Sequence, residues 1–193
     1  MHEQGVKVDV VVGLPRGGVV VAAEVARILQ CPLDLLVVRK IGHPWQREFA
    51  VGALAESGVV ILDQATVGKY PHLRRELEAV IEEETGRLRE YRLRFGRDEK
   101  RDFAAKDILL VDDGLATGAT MEAAVLAARK MKAREIRVAV PVASTNALER
   151  LGPVADSVIA LGVDPAFDAV GRYYETFPQT SDEEVLELLR AAR

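Results

Sequence analysis

Asp112 and Asp113 are followed, after Gly114, Leu115 and Ala116, by the run Thr117-Gly118-Ala119-Thr120. That spacing joins two carboxylates to a loop able to hold an anion. Small residues at Ala116, Gly118 and Ala119 let a phosphate come close to the backbone, and the hydroxyls of Thr117 and Thr120 can each donate to a phosphate oxygen. Carboxylates repel such a group but accept hydrogen bonds from the vicinal hydroxyls of a sugar beside it. The chemistry suggested is recognition of a sugar phosphate.

The elements around this run must place it. Ile108 to Val111 is an uninterrupted apolar run, as in a strand buried on both faces. Beyond Gly118, apolar or small residues fall at Met121, Ala124, Val125 and Ala128, the helical spacing i, i+3, i+4, i+7. The loop therefore sits at a helix N-terminus, where unpaired N–H groups and the macrodipole favour an anion. Neighbours on a strand face opposite ways, so both aspartates reach one sugar only if the strand ends there, and Gly114 supplies that ending. An ordinary strand-to-helix turn would account for one Asp and one Thr as caps, leaving the second of each unexplained. A response-regulator receiver domain also has an acidic pair, but at the end of its first strand; here about half the chain comes before it.

The same alternation runs through the chain. Strands are expected at Val8–Val12, Leu33–Val38, Val59–Leu62, Ile136–Val140 and Val158–Leu161, with a helix over Val19–Leu29. This predicts an α/β fold with a mainly parallel sheet flanked by helices, whose ligands collect beyond the carboxyl ends of the strands. The loops at 13–18, 39–49 and 112–120 should then converge. The first, Gly13-Leu-Pro-Arg16-Gly17-Gly18, offers backbone N–H groups and a forked guanidinium to an anion. Arg39 and Lys40 place two cations just past the second strand. His43 to Phe49, with the one tryptophan, Trp45, shows no clear periodicity and reads as a mobile lid or a packed turn. Residues 72–95 carry the pattern of one long amphipathic helix, and Ser181-Asp-Glu-Glu184 caps a final helix at 182–191.

Composition narrows the function classes. The 193 residues, 49% of them hydrophobic, suit a single domain, 1–193, with a full core. No apolar stretch is long enough to span a bilayer and the N-terminus lacks a leader pattern, so a cytoplasmic address and no membrane partner are expected. A net charge of -4 speaks against nucleic acid as a partner. The arginine-rich stretch Arg87–Arg101 is read as a solvated helix face. Cys31, alone, forms no internal disulfide and is expected to act as a small core hydrophobe.

The run Val111-Asp112-Asp113-Gly-Leu-Ala-Thr117-Gly118-Ala119-Thr120 resembles the phosphoribosyl diphosphate (PRPP) signature of the type I phosphoribosyltransferases. The resemblance implies transfer of 5-phosphoribose from PRPP to a nitrogenous base with release of pyrophosphate, in nucleotide salvage. It implies that Asp112 and Asp113 hold the ribose hydroxyls, and that Ala116, Thr117, Gly118, Ala119 and Thr120 hold the 5-phosphate. Arg16, Gly17 and Gly18 would meet the pyrophosphate. Arg39 and Lys40 look like the arginine–lysine step of the adenine and orotate members and would act on the leaving group. Magnesium would arrive with PRPP, without dedicated protein ligands. The tail is similar to the base-recognising segment of purine-salvage members, with Phe167, Tyr173 and Tyr174 as the rings that would stack on the acceptor; its spacing differs from theirs by one residue. Residues 64–104 depart from the simplest family pattern as a helical insertion, and 162–193 would form a C-terminal hood and helix. Ala116 replaces the carboxylate of many hypoxanthine and guanine enzymes, bringing the stretch nearer the adenine and uracil members. A homodimer fits the family, and the alternative is a PRPP- or nucleotide-binding regulator without transferase activity.

Overall fold

The computed structural model describes residues 7–68, 73–95 and 102–192. Five parallel strands form the main sheet in the order β2-β1-β6-β7-β8: β1 (Val10–Gly13), β2 (Leu33–Leu35), β6 (Asp107–Val111), β7 (Glu135–Ser144) and β8 (Ser157–Asp164). Helices α1 (Gly17–Leu29), α4 (Ala119–Lys130) and α5 (Thr145–Leu151) connect them, with α6 (Asp182–Ala191) at the end. An antiparallel sheet of β3 (Val38–His43), β4 (Gln46–Ala55) and β5 (Val60–Leu62) stands beside the main one. It leads through the short α2 (Gln64–Val67) to the long α3 (Leu73–Arg94).

The centre of the main sheet is buried on both faces because β1 is apolar throughout and β6 is apolar from Ile108 to Val111. Val10, Val12, Ile108, Leu110, Ile136 and Val138 face Met121, Ala124, Val125 and Ala128 of α4 and Leu151 of α5. Val11, Leu109 and Val111 face the other way, toward Val19 and Ala22 of α1, Leu77, Val80 and Leu88 of α3, and Val185 and Leu189 of α6. The two-residue period of the strand thus feeds two cores from one run. Helix α3 packs within the second core, and Cys31 lies half-buried against it, where burial pushes its thiol up.

Three expectations need correction. The segment 33–38, expected as one strand, is two: Leu36 N–H still donates to Gly13, but the carbonyl of Val37 accepts from Glu56, so the chain changes sheets within two residues. Leu36 and Val37 stay buried through that corner, and a hydrophobicity pattern carries no trace of it. The run 59–62, expected as a strand of the parallel sheet, pairs antiparallel with β4 as β5. The segment expected as an irregular loop, 39–49, is instead the hairpin of β3 and β4, with a bulge near Gly42 that interrupts the alternation on which strand recognition depends.

Candidate functional site

Strand β6 ends at Val111, and the next two residues turn out of the sheet at its carboxyl edge. Asp113 N–H donates to Asp112 Oδ1 at 2.9 Å, which holds the two carboxylates beside each other. Leu115 continues as a single parallel bridge to Ala143, with Leu115 N–H donating to Val142 and Ser144 N–H to Leu115. Gly118 then takes φ 73°, in the left-handed region, as the N-cap of α4. That turn brings the start of α4 to the same cleft as the aspartates, in a conformation costly for a residue with a Cβ.

Asp112, Asp113, residues 114–118, Thr120, Lys40 and Val170 line one cleft of about 230 Å³. Burial, followed by the charge of Asp113, holds the Asp112 carboxyl well above the usual carboxylate range, with Lys40 acting in the opposite sense. Burial also raises Asp113. Two acids that resist carrying two negative charges suit hydrogen-bond donors, or a cation brought by a ligand.

The loop after β1 backs directly onto this pair. A Cβ on Gly18 would lie 2.6 Å from Asp112 Oδ1 and 2.9 Å from its Cα, and one on Gly17 would collide with the carboxylate of Asp113. Only glycines allow the contact. The Pro15–Arg16 peptide there is cis. The Arg16 guanidinium lies 3.8 Å from Asp182 at the head of α6. Asp182 also accepts from Tyr91 at 3.0 Å and stands 3.6 Å from Arg94. Burial and that hydrogen bond push the Tyr91 phenol up to about 12.

The structure separates the two cations of the arginine–lysine step. Lys40 lines the cleft with the aspartates, whereas Arg39, its neighbour on β3, donates from Nε to Glu84 of α3 at 2.5 Å. Both also line a second cavity, between the β3–β4 hairpin and α3.

The aromatic residues are also divided. Tyr174 donates to the carbonyl of Asp113 at 2.6 Å, and burial and the charges of Asp113 and Asp112 push its phenol up to about 12. Phe167 and Tyr173 stack on each other at 5.2 Å, and Tyr173 donates to Asp164. The tail residue that lines the cleft is Val170, in a 3-10 turn over Val170–Tyr173. His43 accepts from Trp45 N–H at 3.3 Å at the hairpin end and is not among the cleft residues.

Four residues not singled out from sequence support the site. Ser144 Oγ donates to the Ala116 carbonyl at 2.5 Å while accepting from Ala147 N–H at 3.0 Å, so one hydroxyl pins the loop before α4 and caps α5. Val170, Glu84 and Asp182 complete the set. Ser144 just before a helical pattern is a legible cap signal, but its second bond, to a residue 28 positions away, has no local signature.

A family model described as "Phosphoribosyl transferase domain" matches residues 1–160. A Mycobacterium tuberculosis protein, present in two strains under the name "Putative phosphoribosyl transferase", is 44% identical over 188 residues, covering 96% of this chain and 42% of that protein. The chain therefore spans under half the length of these curated relatives. The crystal structure of TT1426 from Thermus thermophilus superposes with a TM-score of 0.80 at 44% identity, covering 97% of this chain and 89% of the other.

Proposed function

The chain belongs to the phosphoribosyl transferase domain family, and from that premise we propose that it transfers 5-phosphoribose from PRPP to a ring nitrogen of a base, releasing pyrophosphate. One observation carries the reading: the acidic pair, Ala116, Thr117, Gly118, Thr120 and Lys40 line a single cleft, and Gly17 and Gly18 back onto the two carboxylates.

Asp112 and Asp113 accept hydrogen bonds from the 2- and 3-hydroxyls of the ribose, which relieves the cost of their buried charge. The amides at the start of α4, with Thr117 and Thr120, hold the 5-phosphate. These contacts fix C1 of the sugar between leaving group and acceptor. The C1–O bond to pyrophosphate breaks as the C1–N bond forms, and the acceptor nitrogen gives up its proton to solvent. Lys40 and the amides of the 16–18 loop meet the charge that develops on the departing diphosphate. Magnesium would come with PRPP, with the carboxylates of Asp112 and Asp113 the nearby acidic groups in the cleft, and would neutralise part of that charge. Ala116 in place of a carboxylate favours an adenine- or uracil-type acceptor, under the segment around Val170 and Tyr174.

Pyrophosphate release from PRPP and magnesium, measured across a panel of bases, tests the reading. Release with at least one base is expected. The pair Asp112→Asn with Asp113→Asn should abolish it and weaken PRPP binding in calorimetry, at about 1.5–3 kcal/mol for each hydrogen bond to a charged group. PRPP binding without release on any base would replace the transferase with a PRPP-binding regulator, and absence of PRPP binding would overturn both.

A further inference from the structure

Lys40 also lines a second cavity of about 600 Å³, walled by the β3–β4 hairpin on one side and α3 on the other. Arg39, Arg47 and Arg87 face it with Glu83 and Glu84. Glu83 pairs with Arg47 at 2.8 Å and Arg87 at 2.6 Å, but these side chains are largely exposed, and such pairs contribute little. Glu84 differs. It is 5% exposed, and each oxygen is taken by a separate guanidinium, Oε2 by Arg39 Nε and Oε1 by Arg87 Nη1 at 2.7 Å. A buried carboxylate held by two arginines has a defined position, because losing either partner would strand its charge.

The bond to Arg39 has a direction. It engages Nε, and among the described residues it is the one side-chain hydrogen bond Arg39 makes. A guanidinium is planar and rigid, so fixing its Nε edge fixes where its Nη donors point. Those donors belong to a side chain that lines the cavity next to Lys40.

We propose that Glu84 is a positioning residue for Arg39, holding its Nε edge so that the Nη donors meet the diphosphate end of the substrate alongside Lys40. The proposal rests on the transferase reading and gives helix α3 a role in it, as the wall that fixes a leaving-group cation. It also sets a sign. If Glu84 were merely a negative charge near an anion site, removing it would tighten diphosphate binding; if it positions Arg39, removing it loosens that binding.

The test is titration of the full chain, with magnesium, by PRPP, pyrophosphate and ribose 5-phosphate. In Glu84→Gln, affinity for PRPP and pyrophosphate should fall about tenfold, the scale of one charge-assisted hydrogen bond, while ribose 5-phosphate, which lacks the diphosphate, binds as in the parent chain. Glu84→Asp, which keeps the charge, should recover most of the loss and guards against a folding defect in the amide variant. Unchanged or tighter pyrophosphate binding in Glu84→Gln overturns the proposal, as does an equal loss for ribose 5-phosphate, which marks a general structural effect. A parent chain that binds none of the three ligands overturns the transferase reading itself, so the two failures are distinct.

Discussion

The hydroxyl of Tyr174 donates to the backbone carbonyl of Asp113 at 2.6 Å, tying the segment that follows β8 to the turn carrying the acidic pair. The two residues lie 61 positions apart. Whatever moves the tail segment therefore also moves the carboxylates.

Tyr174→Phe should lower stability by about 1 kcal/mol, the usual net value of a hydrogen bond whose loss leaves a carbonyl unmatched. In calorimetry that is a fall in Tm of about 2–4 °C for a domain of this size. The phenol, raised to about 12, keeps its proton at ordinary pH, so the difference between the two proteins should be flat from neutral to mildly alkaline pH. A Tm gap that closes within that window would show that the bond is not holding the turn.

Asp112→Asn should stabilise the ligand-free protein near neutral pH. The folded-state pKa of Asp112 lies above its ordinary value, mainly through burial and then through Asp113. A group raised in the folded state adds stability that is complete below its unfolded pKa and is lost as pH climbs through the raised value. The parent chain thus loses stability from the ordinary carboxylate range upward, and the asparagine variant does not. The Tm advantage of Asp112→Asn should grow with rising pH and vanish in acid, and an advantage independent of pH would refute the charge-burial account.

Ser144→Ala should cost about 0.5–2 kcal/mol as the loss of an N-cap. It also frees the Ala116 carbonyl from its donor at the phosphate loop. Calorimetry should therefore find weaker ribose 5-phosphate binding, whereas pyrophosphate, assigned to the far side of the cleft, should bind unchanged. Equal loss for both ligands would mean that Ser144 supports the fold alone.

The acidic pair, the 116–120 turn and the Gly17–Gly18 loop were legible in the sequence because each is a local device. A strand end, a small-residue turn and a helix start are written within about a dozen residues, and period-two and helical patterns show where each begins. The parallel alternation of the main sheet was legible for the same reason, since strands buried on both faces leave unbroken apolar runs.

What lay beyond the sequence were facts about partners distant in the chain. Apolar character continues through Leu36 and Val37, so the corner between the two sheets is invisible until Val37 is seen to accept from Glu56 rather than from the main sheet. Arg39 and Lys40 read as one cationic step, and only tertiary packing brings Lys40 into the aspartate cleft while it binds Arg39 to Glu84, 45 residues away. The sequence by itself determined where the strand end, the small-residue turn and the helix start lie. The folded chain decided which charges line the cleft and which are held by other charges, because electrostatic interaction depends on distance and burial in space and not on separation along the chain.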